Sequence, residues 1–221
     1  MEITRLMSEI RRSLQETTKS NPHIPKLPDK LADNSPEELE TIITLALRQR
    51  VEQRGIPFED ISGTEMEKKI KRSVEWLTGY PYRPGLLLQG SNGNGKTTLM
   101  EAIYWLYHAT DTSVVSVKCE KLVEYFVMQL SGVSSAYTEY RTSPRLCIDE
   151  LGIEPERCMV YGVEYTPIQS LIMYRYEKQL PTIITTNLSD AMIEQRYGVR
   201  ILDRITEMCT ILRFSAPSYR K

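Results

Sequence analysis

The run Gly90-Ser91-Asn92-Gly93-Asn94-Gly95-Lys96-Thr97 fixes the architecture around it. It fills every set position of G-x-x-x-x-G-K-[ST]. An apolar run, Leu86-Leu87-Leu88, precedes it, and a helical pattern from Thr97 to His108 follows. A phosphate cradle needs that placement. Glycines let the backbone turn tightly, so that consecutive N–H groups point at phosphate oxygens. The start of the next helix adds its positive dipole end. Lys96 is then placed to reach the β- and γ-phosphates of a nucleotide, and the Thr97 hydroxyl to ligate Mg²⁺. Gly90, Ser91, Asn92, Gly93, Asn94, Gly95 and Thr98 complete the expected nucleotide-binding set.

Downstream, Arg145-Leu146-Cys147-Ile148-Asp149-Glu150 reads as an apolar strand ending in two adjacent acids. Asp149 lies 53 residues after Lys96, with one strand–helix unit between them. The carboxyl ends of parallel strands are where α/β ligand sites form. Asp149 is expected to hold the hydration shell of Mg²⁺, and Glu150 to polarise the water that attacks the γ-phosphate. The next strand, Thr182–Thr185, ends in Thr186-Asn187. Asn187 either orients that water or serves as a turn residue before the helix opened by Leu188-Ser189-Asp190.

From residue 85 onward, β-rich runs alternate with helical ones. The runs are 86–88, 114–117, 146–148, 182–185 and 210–214; the helical segments lie near 96–109, 120–131, 166–179 and 189–208. That alternation predicts an α/β fold with a parallel sheet covered on both faces. Before residue 85 the pattern is helical. Ile3, Leu6, Met7, Ile10 and Leu14 mark an amphipathic segment, followed by a linker holding Pro22, Pro25 and Pro28. Ser35 as N-cap, Pro36 and two acids start a helix that runs to about Gln53, and a second covers Glu65 to Leu77.

The chain has 221 residues, with 28 Lys and Arg against 29 Asp and Glu. The net charge of −1 rules out a globally basic nucleic-acid protein but not a local patch. A content of 41% hydrophobic and 26% charged residues excludes a disordered chain. No secretory h-region opens the sequence, and no stretch approaches 18 uninterrupted apolar residues. Cys119, Cys147, Cys158 and Cys209 show no zinc-ligand spacing and read as small buried groups in a reducing cytosol. The expected localisation is cytoplasmic.

In these residues the chain resembles the AAA+ ATPases of the DnaC-type helicase loaders and their relatives, the IstB-type transposition helpers. The matching stretches are Gly90–Thr97, Ile148-Asp149-Glu150-Leu151-Gly152, Arg175-Tyr176-Glu177, 180–188, 197–204 and Ser218-Tyr219-Arg220. The resemblance covers roughly residues 75–220. The resemblance implies a P-loop sheet in the order 5-1-4-3-2, Asp149 and Glu150 as Walker B, Asn187 as sensor 1, and ATP as the nucleotide. It implies Arg204 as an arginine finger that completes a neighbour's site. Arg200, one turn earlier on the same face, is the second candidate. The competing reading pairs both with Asp203 or Glu207 on the helix surface. Only seven residues follow Phe214, so a helical lid with its sensor-2 arginine is not expected. Residues 131–141 are short for the insertion that lines the single-stranded DNA path in relatives.

The expected organisation is a helical adaptor region with its proline-rich linker over 1–60, and a lidless AAA+ ATPase domain over 61–221. Tyr137, Tyr140 and Arg141 offer two rings and a cation for single-stranded DNA, or else pack on the domain. Residues 33–69 hold nine acids against five bases, and residues 196–221 hold six bases against two acids. Head-to-tail self-association through ATP sites can use that asymmetry, although solvation explains it equally. The expected function is an ATP-dependent loader that carries a replicative helicase, with residues 1–55 as the arm that binds it. The alternatives are an IstB-like helper of a transposase, a metabolic P-loop kinase, and an interaction module that barely hydrolyses ATP.

Overall fold

The computed structural model describes residues 30–79 and 83–216. The amphipathic segment 1–19, the linker 20–28 and the closing Ser218-Tyr219-Arg220 lie outside the described residues. The sheet strands are β1 (Gly85–Gly90), β2 (Val115–Lys118), β3 (Leu146–Leu151), β6 (Thr182–Thr186) and β7 (Cys209–Phe214). Two short strands, β4 (Cys158–Val160) and β5 (Val163–Tyr165), form a separate antiparallel hairpin between β3 and β6. The sheet runs β2-β3-β6-β1-β7, with every pairing parallel. Counted in chain order, its five strands lie 5-1-4-3-2, as expected.

A short 3-10 helix (Lys30–Asp33) and eight α-helices are described: α1 (Pro36–Glu52), α2 (Glu65–Leu77), α3 (Lys96–Ala109), α4 (Cys119–Leu130), α5 (Ala136–Thr142), α6 (Pro167–Glu177), α7 (Asp190–Tyr197) and α8 (Val199–Met208). No helix follows β7 among the described residues. None of the described helices is long and apolar enough to cross a membrane.

β1 runs through the middle of two apolar layers. Leu86 and Leu88 join the cluster formed by α1, α2 and α3, whereas Leu87 joins the one formed by α4, α6, α7 and α8. Successive strand residues point to opposite faces, so a run of three leucines serves both layers.

α1 begins with a reciprocal cap. The Ser35 N–H donates to Glu38 Oε2 at 2.7 Å, and the Glu38 N–H donates to Ser35 Oγ at 3.3 Å. Its buried stripe, Leu39, Ile42, Ile43, Ala46 and Leu47, lies in one cluster with Leu99, Ile103 and Leu106 of α3. The described part of residues 1–60 thus shares a core with the P-loop helix, and residue 60 does not divide the packing. The segment read as one helix over 189–208 is broken at Gly198, which carries φ +86°.

Arg175 is the largest fully buried side chain. Its guanidinium donates to the carbonyls of Pro181 (2.7 Å), Ser143 (2.9 Å) and Arg141 (3.1 Å), and to Thr182 Oγ1 (2.8 Å). It ties α6 to the turns that enter β3 and β6. Burial lowers its pKa to about 10, which still leaves it charged at neutral pH. Arg175→Met strips these acceptors of their donor. We expect a loss of about 3 kcal/mol in unfolding free energy, measured by urea denaturation.

Candidate nucleotide site

Gly95 caps α3 at φ +90°, a conformation that a side chain makes costly, and no side chain caps the helix start. Lys96, only 6% exposed, donates from Nζ to the Ser91 carbonyl at 2.6 Å and to Asn94 Oδ1 at 3.1 Å. Asn94 is fully buried, and its Nδ2 donates to the Phe214 carbonyl at 3.3 Å. Its side chain anchors the loop to β7 and supports Lys96. The Thr98 hydroxyl accepts from Arg54 Nη1 at 3.3 Å, and Arg54 also pairs with Glu101 at 3.2 Å. The turn after α1 therefore reaches the first turn of the P-loop helix.

Asp149 is where the loop meets the neighbouring strands. Its Oδ1 accepts from Thr97 Oγ1 at 2.9 Å and from Thr185 Oγ1 at 2.6 Å. The Thr185 oxygen also accepts the Glu150 N–H at 2.8 Å. One hydroxyl thus holds both acids. Glu150 needs that support, because it lies at φ +60°, where the β3–β6 register shifts between Ile148 and Leu151. A non-glycine residue there costs about 1–3 kcal/mol, and such strain gathers at functional sites. The Glu150 carboxylate meets Lys118 of β2, with Nζ 3.6 Å from Oε2.

Asn187 is exposed on the loop leaving β6. That loop is held from both sides: Gln89 Nε2 donates to the Leu188 carbonyl at 2.9 Å, and Thr186 Oγ1 accepts the Leu188 N–H at 3.1 Å. The side chain of β6 that touches Asp149 is the buried Thr185, two residues before Asn187. Lys118, Gln89 and Arg54 carry no motif and were not foreseen.

Thr97 and Asp149 present hard oxygen donors side by side, which suits Mg²⁺ completed by water and phosphate oxygens. Among the described residues, no three His, Cys, Asp or Glu side chains gather into a closed metal cage.

The expected finger residues lie apart from this cluster. Arg204 of α8 donates to Glu207 at 2.9 Å and stacks over the Tyr176 ring, 4.7 Å from its centroid. Tyr176 and Arg204 together hold the Glu207 carboxyl below the usual carboxylate range. Arg200 is exposed and has no partner among the described residues. Of the two readings for Tyr137, Tyr140 and Arg141, the structure shows packing on the domain. Tyr137 is buried in the core, edge-on to Phe126, with its hydroxyl donating to the Pro167 carbonyl at 2.6 Å. Tyr140 stacks on Tyr125, and Arg141 lies over Tyr174. An apolar ring with one satisfied hydroxyl gains more from the core than from solvent.

A parallel 5-1-4-3-2 sheet with a glycine-rich phosphate loop after β1 and two adjacent acids near the end of β3 is an α/β fold of the P-loop type. No family model matches the chain, and no curated protein matches it. Solved structures do. The chain is similar to a DnaC helicase loader at 23% identity and a TM-score of 0.57, covering 71% of this chain and 94% of that one. It is similar to DnaI at 22% identity and 0.56, covering 71% and 88%. Domain III of the Thermotoga maritima replication initiation protein DnaA follows at 15% and 0.53, covering 72% and 66%. The DnaC-like resemblance read from the motifs is thus matched by the shape of the fold.

If one hydroxyl organises both acids, its removal separates chemistry from binding. Thr185→Val should lower ATP turnover about tenfold with little change in nucleotide affinity, and Thr185→Ser should restore it. Steady-state ATPase assays beside titration of a fluorescent ATP analogue check this.

Proposed function

We propose that the chain is an ATP-dependent loader or adaptor that assembles on single-stranded DNA and delivers a replicative helicase. The observation that carries this reading is the single cluster of Lys96, Thr97, Asp149, Thr185 and Glu150. It sits on a fold similar to that of a DnaC helicase loader. Lys96 and the loop N–H groups would grip the β- and γ-phosphates. Thr97 and Asp149 would hold Mg²⁺, which when bound neutralises phosphate charge. Glu150, whose own N–H is held by the Thr185 hydroxyl, would orient and polarise the attacking water. Asn187, exposed at the same edge, would contact the γ-phosphate or that water.

Turnover in this reading depends on a second subunit. Neither Arg200 nor Arg204 pairs with a residue of the P-loop cluster, and an arginine supplied in trans stabilises transition-state charge. The exposed Arg200 is ready for a neighbour, whereas Arg204 must first leave Glu207 and Tyr176. The arm for the helicase is best sought in residues 1–29. Removing 1–55 would also take away Leu39, Ile42, Ile43 and Leu47 from the core.

Lys96→Ala should abolish ATP binding, and Glu150→Gln should bind ATP yet lose turnover by about 10²-fold. A pulldown with ATP or a non-hydrolysable analogue should capture the helicase, and deletion of 1–29 should end that capture with the fold intact by circular dichroism. Capture of a transposase in place of the helicase would favour the IstB-like alternative. Turnover at the wild-type rate in Glu150→Gln would remove Glu150 from its role.

A further inference from the structure

Glu154 is a carboxylate with no solvent exposure, which is rare for an acid. Its Oε2 accepts the Gly152 N–H at 2.8 Å. Its Oε1 accepts the Tyr197 hydroxyl and lies 3.6 Å from Arg196 Nε. Arg196 Nη2 donates to the Glu154 carbonyl oxygen. Burial, reinforced by the Glu154 charge, pushes the Cys119 thiol and the Tyr197 hydroxyl upward, so both stay protonated beside it.

The position of this cluster is more telling than its strength. Three residues separate Glu154 from Glu150, and the turn between them is tightly determined. Gly152 sits at φ +110°, and a Cβ there would lie 2.6 Å from Leu188 Cδ1. Arg196 and Tyr197 close α7; Gly198 follows, and then α8 with Arg200 and Arg204. Glu154 therefore grips the root of the arginine helix at one end and the turn behind Glu150 at the other. Stability alone is a weak reason for a buried ion pair, because desolvation offsets much of its attraction.

We propose that Glu154 is a positioning residue that couples the Glu150 turn to the helix presenting Arg200 and Arg204 to a neighbouring subunit. The inference rests on the assembled-ATPase reading above. In it, a shift of the turn on nucleotide binding moves α8, and contact at α8 resets the turn.

Subunit mixing tests it. A Lys96→Ala donor keeps its arginines and cannot bind nucleotide. An acceptor with Arg200→Ala and Arg204→Ala keeps its P-loop and offers no arginine. Mixing the two should restore turnover. If this control fails, the assembly reading falls and the coupling with it. If it succeeds, adding Glu154→Gln to the donor should cut the restored rate about tenfold. The donor should keep its melting temperature, and the acceptor its affinity for a fluorescent ATP analogue. Tyr197→Phe, which removes one hydroxyl and keeps the ring, provides a second donor should Glu154→Gln not fold. Restoration equal to the control overturns the coupling, as does a defect that appears only with a lowered melting temperature.

Discussion

The hydrogen bonds at Asp149 join parts of the chain that lie far apart in sequence. Thr97 belongs to the P-loop helix, Asp149 to β3 and Thr185 to β6, yet all three meet on one carboxylate oxygen. This meeting requires the β1–β6–β3 pairing in its observed register. A shift of one residue would turn Thr185 to the opposite face, because side chains alternate along a strand. The apolar layers fix that register. Leu87, Ile148 and Ile184 pack together on one side, while Leu86, Leu88 and Ile183 belong to the other. The chemistry at the strand ends is thus held in place by the hydrophobic alternation behind it.

The same dependence explains which features were legible in the residues. Motifs whose partners lie within one turn could be read directly. The P-loop, the Ser35 cap and the strand ending in Asp149-Glu150 all declare themselves locally. Sheet order was legible only through the resemblance, since pairing between distant strands leaves no local mark. Thr185, Lys118 and Glu154 were missed because their roles exist only once β2, β3, β6 and α7 are side by side. The β4–β5 hairpin escaped for another reason. Its strands are three residues each, and Met159, Tyr161 and Val163 on it are exposed, so no buried periodicity announces it. Tyr137 shows the converse case. Its neighbours Tyr140 and Arg141 suggested a nucleic-acid surface, but Phe126 and the Pro167 carbonyl offered the ring and its hydroxyl a better site.

Charge along the chain needs similar care. The basic excess from Arg196 onward looks like a free surface for a neighbour or DNA. Much of it is consumed within the molecule. Arg196 pairs with Glu154, Arg204 with Glu207, and Arg213 with Asp190 at 2.7 Å. Hydrogen bonds from Gln89 and from Arg213 hold the Asp190 carboxyl below its ordinary range, so this pair stays formed at neutral pH. Among the described bases from Arg196 onward, Arg200 is the one left without a partner. Formal charge counts therefore overstate the surface available for assembly, and partner assignments discriminate better.

Two cations bear on how readily such a machine would fire. Lys96 is bonded to its own loop, and Lys118 is ion-paired to the carboxylate proposed as the base. Entering phosphates compete with the Ser91 carbonyl and Asn94 for Lys96, and they are the stronger acceptors because they are charged. Glu150 is freed by a different route. Its backbone is held at φ +60° by Thr185, so the residue cannot leave Lys118 by relaxing its main chain and must do so by side-chain rotation alone. The pair is partly exposed, with side-chain accessibilities of 57% and 38%, so solvent screens its attraction and rotation is cheap. In the proposed reading the lysine is therefore a weaker brake on turnover than the lack of an arginine in trans. On this account the rate is set at α8, not at the strand that carries the acid.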